Sequence, residues 1–313
     1  MNSSTTDANA KKAFASLLKT TKPAVESKME AMFRDRAKLR APNGPEVRDV
    51  VAVAHDLSMR GGKRFRAALL AAAYFGVSPR GAKDNALLGG VSLEMLQSYL
   101  LIQDDWMDGD VERRGGPSAH VALAKKLGGG PLLPERAGGV GALLASDLVW
   151  GLSVSALLST KVEPAILVRA LDELMRIHED VVAGQVIDTL AKKPDIEVLH
   201  DLKTGSYTVR GPLALGAILG GAGKPVLRAL ARYAAPLGVA FQLRDDLLGV
   251  FGSEAEAGRP QGSDLRSGKN TSVLRHASPK LRGAGKRALA TVWKKGDAKQ
   301  RDVESAVDAI SAT

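Results

Sequence analysis

The chain contains no cysteine. Disulfides, thiolate metal sites and cysteine nucleophiles are therefore excluded, and a reducing compartment is allowed. Aromatic residues are scarce, at 4% of 313 residues, while alanine and leucine are plentiful. That balance favours helix. Long uncharged runs are also missing: Asp84, Glu94, Asp104 and Asp105 bound or interrupt the longest apolar candidate, so no stable membrane insertion is expected. The first ten residues, MNSSTTDANA, lack the basic start and apolar stretch of a secretion signal. They read as a disordered tail on a cytoplasmic protein. There is no Gly-x-Ser-x-Gly elbow and no Gly-x-x-x-x-Gly-Lys-Ser/Thr phosphate loop. The five histidines, at positions 55, 120, 178, 200 and 276, show no zinc-ligand spacing.

What is present points to a helical globule. Hydrophobic residues make up 45% of the chain, normal for a packed core. The net charge is +10, which suits an anionic partner. The basic residues are scattered and have little aromatic interleaving, so no nucleic-acid partner is expected. Apolar residues recur at three- and four-residue steps over 11–40, with Pro23 as a boundary, and over 45–59, 64–76 and 85–108. Further helices are expected at 142–158, 164–192, 196–204, 206–220, 225–252 and 283–295. The Gly- and Pro-rich stretch 128–141 reads as a surface loop. Strong hairpin turns and period-two alternation are absent. No linker composition appears, so 11–313 is expected to be a single all-helical domain after the tail at 1–10.

Two acid clusters constrain function most tightly. One is Asp104-Asp105-x-x-Asp108; the other begins at Asp245-Asp246. Each follows an apolar run, Leu93 to Ile102 and Leu237 to Leu243. Ionised carboxylates entering a core are costly unless they are paired or bound to metal. Asp104 and Asp108 share a helical face just before Gly109, at the helix end whose dipole disfavours acids. A solvated helix end is the bland alternative for either cluster. Carboxylates clustered without cysteine suit Mg²⁺, which bridges carboxylates to substrate phosphates. Arg113 and Arg114 follow the first cluster, and Arg244, Arg259 and Lys269 lie around the second. Acids and bases interleaved in this way suit a metal-bridged polyanion such as a diphosphate.

From about residue 50 to residue 280 the chain resembles the trans-isoprenyl diphosphate synthases, or polyprenyl synthetases. Five blocks carry the resemblance: Gly61-Gly62-Lys63-Arg64-Phe65-Arg66; Asp104-Asp105-x-x-Asp108 with Arg113-Arg114-Gly115; Gly184-Gln185-x-x-Asp188; Lys203-Thr204-Gly205; and Phe241-Gln242-x-x-Asp245-Asp246 continuing to Gly262-Ser263-Asp264-Leu265 and Gly268-Lys269. The resemblance implies an all-α isoprenoid synthase bundle around a central cavity, usually a homodimer, with the two acid motifs across its mouth. It implies Mg²⁺ as cofactor, with isopentenyl diphosphate and an allylic diphosphate (dimethylallyl, geranyl or farnesyl) as substrates. Asp104, Asp105, Asp108 and Asp245 would ligate Mg²⁺, with Asp246 and Asp264 close by or acting through water. Arg113, Lys203 and Lys269 would hold the allylic diphosphate, with Arg259 where the family usually has lysine. Lys63, Arg66 and Arg114 would bind isopentenyl diphosphate, with Gln97 near it. Thr204, Gln185 and Gln242 would turn polar oxygens toward the carbocation.

The match has departures. The second acid motif ends at Gly249, where a third acid is usual, and Asp264 is the candidate to compensate. Tyr99 and Leu100, five and four residues before the first acid, stand where the family lines the path of the growing tail. Bulky Tyr99 is expected to form its floor, giving a farnesyl or geranylgeranyl product. Two alternatives remain open: a terpene cyclase of the same fold, which needs no isopentenyl site, and a non-catalytic subunit of a heteromeric synthase.

Overall fold

The computed structural model describes residues 3–191, 195–257 and 260–313. The architecture is all-α, as the composition indicated. The longer helices are α1 (Ser3–Arg40), α2 (Pro45–Met59), α3 (Phe65–Val77), α4 (Lys83–Asp108), α5 (Ala119–Leu127), α6 (Pro134–Leu158) and α7 (Pro164–Leu190). Next come α8 (Ile196–His200), a π-helix (Asp201–Arg210), α9 (Gly211–Leu219) and α10 (Lys224–Phe251). Short helices follow: α11 (Glu254–Ala257), α12 (Ser263–Ser267), α13 (Ser272–Ala277), α14 (Gly283–Val292) and α15 (Gln300–Ser311). One two-stranded hairpin, β1 (Glu112–Arg113) with β2 (Gly116–Pro117), interrupts the helices.

Contacts group the chain into two compact units: Met1–Val181 with Tyr207–Ala234, and Val182–Ser206 with Ala235–Thr313. The boundaries of these units fall within helical segments, where no Pro, Gly or Ser run marks them.

The first unit has a continuous apolar core that includes Met29, Phe33, Leu70, Leu93, Met95, Leu96, Ile102, Leu157, Leu174 and Ile177. Burying each such side chain stabilises by roughly 1.5–3 kcal/mol. Helices α4 and α6 run antiparallel. Their pairing is read from Ser153 donating to the Ser92 carbonyl at 2.7 Å, from Tyr99 against Trp150 with ring centroids 5.7 Å apart, and from Gln103 donating to Ser146 at 3.1 Å. The second unit has its own core, built on Val250, Leu265, Leu274, Leu281, Val292, Val303 and Ile310.

Several expectations are corrected. Helix α1 is continuous through Pro23 and already begins at Ser3, so the stretch read as a tail is helical from there. An interior proline costs about 3 kcal/mol. Buried Val25, Met29 and Phe33, at helical spacing just beyond it, carry the helix past that cost. Helix α6 starts at Pro134, inside the stretch read as a loop. Its glycines are there for close approach: a Cβ on Gly138 would lie 2.3 Å from the His120 carbonyl oxygen, and one on Gly139 would lie 2.8 Å from Trp106 Nε1. With that start, α6 becomes long and apolar enough by composition to cross a membrane, contrary to the sequence reading; half of its most apolar window is buried in the unit. Helices α5 and α15 were not anticipated, and 196–210 is one α–π run rather than two helices broken at Gly205.

The tightest contact in the first unit is α3 on α9, where a Cβ on Gly216 would lie 2.1 Å from the Leu70 carbonyl oxygen. Gly216→Ala is expected to cost about 3 kcal/mol. A thermal melt checks this, and an unchanged midpoint would contradict the close approach.

Candidate active site

The first acid cluster closes α4. Gly109 caps the helix at φ +73°, and its N–H bonds the carbonyls of Asp105 and Trp106. The three acids then part company. Asp108 is exposed and Asp104 half-buried, whereas Asp105 is fully buried. Arg113 Nε donates to Asp105 Oδ1 at 2.7 Å, its terminal nitrogen closes on the same oxygen, and it reaches Asp110 at 3.3 Å. Burial pushes the Asp105 carboxyl up to about 6, against the downward pull of Arg113. At neutral pH it is still largely ionised, so the pair is an ion pair. Arg113, expected on a substrate diphosphate, is committed here to carboxylates.

The hairpin after α4 delivers the arginines. Arg114 and Gly115, at φ +52° and +74°, form its two-residue turn. Such a turn needs left-handed backbone at both positions, and glycine supplies one of them without strain. The hairpin is tied to the end of α2 by Arg60, which donates to the carbonyls of Arg113 at 3.2 Å and Pro117 at 2.8 Å. Arg114 lies against the Gly61-Gly62 turn and donates to the Arg60 carbonyl at 2.8 Å. A Cβ on Gly62 would meet its guanidinium at 3.3 Å.

The Gly-Gly-Lys-Arg block divides its labour. Arg64 is 3% exposed, at φ +51°. It bonds Glu26 at 3.0 Å, buried Glu94 at 3.4 Å and the Ser58 carbonyl at 3.0 Å, which ties α1, α2 and α4 together. Arg64 is therefore a buried tie between helices rather than a solvated helix start. Lys63, beside it, is exposed. Arg66 donates to Gln97 at 2.8 Å and Thr208 at 2.7 Å, and its guanidinium lies 4.1 Å above the Tyr207 ring. Burial and the like charges of Arg64, Arg113 and Arg66 hold the Arg114 pKa below its ordinary value, with Glu94 opposing. Arg66, Gln97 and Arg114 thus lie together in one unit, with Lys63 exposed beside them in the chain. Thr208 and Tyr207 belong to this group too; no motif flagged them.

In the second unit the π-helix carries the Lys203-Thr204-Gly205 block. Helical glycines on both sides let the backbones close in. A Cβ on Gly184 would lie 2.9 Å from the Lys203 nitrogen, and one on Gly238 would lie 3.1 Å from Gly205 Cα. Lys203 pairs with Asp188 at 2.5 Å. Gln185 donates its amide N–H to Thr189 at 3.3 Å. A π-segment inside helical structure is frequent at functional sites. The Thr204 side chain and all of Arg259 lie outside the described residues.

The second acid cluster repeats the division of the first. Asp245 is exposed, whereas Asp246 is 3% exposed and satisfied on both oxygens. Oδ1 accepts the Gln242 amide at 2.7 Å, and Oδ2 accepts the Ser272 backbone N–H of α13 at 2.8 Å. The Gln242 amide nitrogen is thereby fixed, leaving its carbonyl oxygen to face elsewhere. Asp264 is buried on α12, and Lys269, just past Gly268, is exposed.

Among the described residues, no group of three or more acidic or histidine side chains gathers into a metal site. Magnesium does not require one, since it takes one or two carboxylates and completes its shell with phosphate and water. The Asp105 Oδ2 atom fits such a cation: it is buried and has no hydrogen-bond partner. An unmet carboxylate oxygen of this kind costs several kcal/mol unless water or a cation answers it.

A family model described as polyprenyl synthetase matches residues 48–310. The chain belongs to that family. It is 31% identical to geranylgeranyl diphosphate synthase of Methanosarcina mazei, over 80% of this chain and 72% of that protein. It is 33% identical to farnesyl diphosphate synthase of Geobacillus stearothermophilus, over 70% and 72%. Among solved structures, geranylgeranyl pyrophosphate synthase from Corynebacterium glutamicum, complexed with isoprenyl diphosphate and magnesium, superposes with a TM-score of 0.85. The identity is 28%, over 94% of this chain and 87% of that one. The chain is accordingly a prenyltransferase of all-α fold.

The division within the Gly-Gly-Lys-Arg block is testable. Arg64→Ala strands buried Glu94 and is expected to destabilise by about 3–5 kcal/mol. Lys63→Ala should change stability by less than about 0.5 kcal/mol. Denaturant titration of both variants checks this; equal losses would contradict the division.

Proposed function

We propose that the protein condenses isopentenyl diphosphate with an allylic diphosphate head to tail, releasing pyrophosphate and giving geranylgeranyl or farnesyl diphosphate. The observation that carries this reading is the grouping of Arg66, Arg114 and Gln97, which with neighbouring Lys63 would form an anion site. Arg114 is pressed among like charges that an anion would relieve. Such a site would take the diphosphate of a second substrate. A cyclase acting on one substrate has no use for it.

Asp104, Asp105 and Asp108 of the first unit would ligate magnesium, and Asp245, with Asp264, would do so from the second. Magnesium, when bound, stabilises negative charge growing on the departing diphosphate. Lys203 and Lys269 bind that same diphosphate. Arg113 and Asp246 are positioning residues, since each is spent on holding a neighbour. As the allylic carbon–oxygen bond breaks, the electron pair leaves with the diphosphate. Gln242 and Gln185, whose amide nitrogens are both engaged, turn carbonyl oxygens toward the resulting carbocation. The isopentenyl double bond attacks that carbon, and the new cation loses its proton to the released pyrophosphate. Tyr99 is the floor that limits tail length, with Leu100 beside it.

A homodimer is the proposed assembly. On α6, Val140, Leu143 and Leu144 are exposed apolar residues at three- and four-residue spacing, so they share a face that a second copy would cover.

The test is incubation of the pure protein with Mg²⁺, isopentenyl diphosphate and each allylic diphosphate, with the products identified by chromatography. Condensation is expected, and Asp104→Ala should lower turnover by at least about 10²-fold. No product with any allylic primer would overturn the reading.

A further inference from the structure

Helices α1 and α2 form an antiparallel hairpin through the turn at 41–44. Two ties set its register. At one end His55 Nε2 meets Glu30 Oε2 at 2.7 Å, and the His55 ring lies 5.1 Å from Phe33. At the other, Arg48 donates to the Ala41 carbonyl at 3.2 Å. Between the ties each helix contributes a small residue, Ala37 on α1 and Ala52 on α2. The two helices therefore do not close on one another, and a cavity of about 390 Å³ opens between them. Pockets that hold small ligands run from about 300 to 1,000 Å³. The cavity lies wholly in the first unit, and none of its residues belongs to a sequence motif.

The lining is of two kinds. Phe33 and Val51 are buried and, with Ala37 and Ala52, make an apolar floor. Arg34, Arg40 and Arg48 also line the cavity and are exposed. Glu30 is the one acid in the lining, and His55 engages it. Of the other acids on α2, Asp49 pairs with Lys126 at 2.7 Å and Asp56 pairs with Arg60. Among the described residues, the side chains of Arg34 and Arg40 make no hydrogen bond or ion pair. Three positive charges around an apolar floor are complementary to an anionic head on a hydrocarbon body. A bare phosphate would leave the floor in water, and a neutral hydrocarbon would leave the arginines unused.

We propose that this groove binds an amphiphilic anion, with a phosphate or diphosphate head and a short hydrocarbon tail. The choice of probe rests on the proposed function, whose product is of that class. No acid cluster lines the groove, so binding there needs no Mg²⁺. In the test, farnesyl diphosphate is titrated calorimetrically in EDTA into the full chain and two variants. Ala52→Trp fills the groove, and Arg34→Ala/Arg48→Ala removes two of its charges. The parent is expected to bind, and each variant to bind at least about tenfold more weakly. Pyrophosphate should bind the parent at least about tenfold more weakly than farnesyl diphosphate does. The substituted positions are exposed, and a thermal melt checks that each variant folds; where Ala52→Trp does not, the arginine variant decides. The titration contains no isopentenyl diphosphate and reads no turnover, so its outcome is independent of the condensation assay. No binding by the parent, or equal binding by the parent and both variants, would overturn the proposal. So would conversion of an assembled parent into monomers by Ala52→Trp in sedimentation velocity, which would make a second copy the occupant. Groove-dependent binding to anionic phospholipid vesicles without binding of free farnesyl diphosphate would overturn it in favour of a membrane surface.

Discussion

A carboxylate cannot be buried without a partner, and both acid clusters are organised around that constraint. In each, the second aspartate is turned inward and given a fixed task. Asp105 is fully buried and grips Arg113, which anchors the hairpin behind α4. Asp246 is 3% exposed and joins Gln242 to the first turn of α13. Tied down in this way, each inward acid fixes the helix face from which Asp104, Asp108 and Asp245 emerge. The outward acids cost little to expose. Adjacent aspartates thus do different work: one orients the backbone and the other presents charge.

The basic residues follow the same logic with the sign reversed. Arg64 is consumed by Glu26 and Glu94, and its neighbours Lys63 and Arg66 are held by that anchor at the start of α3. Gly61 and Gly62 leave room for Arg114 to lie flat across the turn. Arginine suits this packing because its planar fork can donate to a carbonyl and still offer further N–H groups to a phosphate. The result concentrates positive charge where Glu94 is the principal acid opposing it.

Much of this was legible in the sequence. The helices with strong apolar periodicity, such as 45–59 and 85–108, match α2 and α4 within two residues. What the sequence obscured has physical causes. Glycines 138, 139 and 141 look like loop residues by propensity but serve close packing inside α6, a tertiary effect that no local pattern reveals. Pro23 looks like a boundary, yet the core contacts of Val25, Met29 and Phe33 outweigh its cost. Arg64 and Asp105 matched motifs as readily as their neighbours, because composition and spacing do not tell which of two adjacent charges faces inward. Thr208 and Tyr207 carry no motif and meet Arg66 through the fold alone.

The division between inward and outward acids is most directly tested by calorimetric titration of an unreactive allylic thiolodiphosphate, with and without Mg²⁺, into Asp104→Asn and Asp105→Asn, alongside the thermal unfolding of each. Asp104→Asn should unfold at the parent temperature and lose magnesium-dependent binding, while Asp105→Asn should unfold at a lower temperature. Undiminished magnesium-dependent binding by Asp104→Asn, or unfolding of Asp104→Asn as early as Asp105→Asn, would contradict the account.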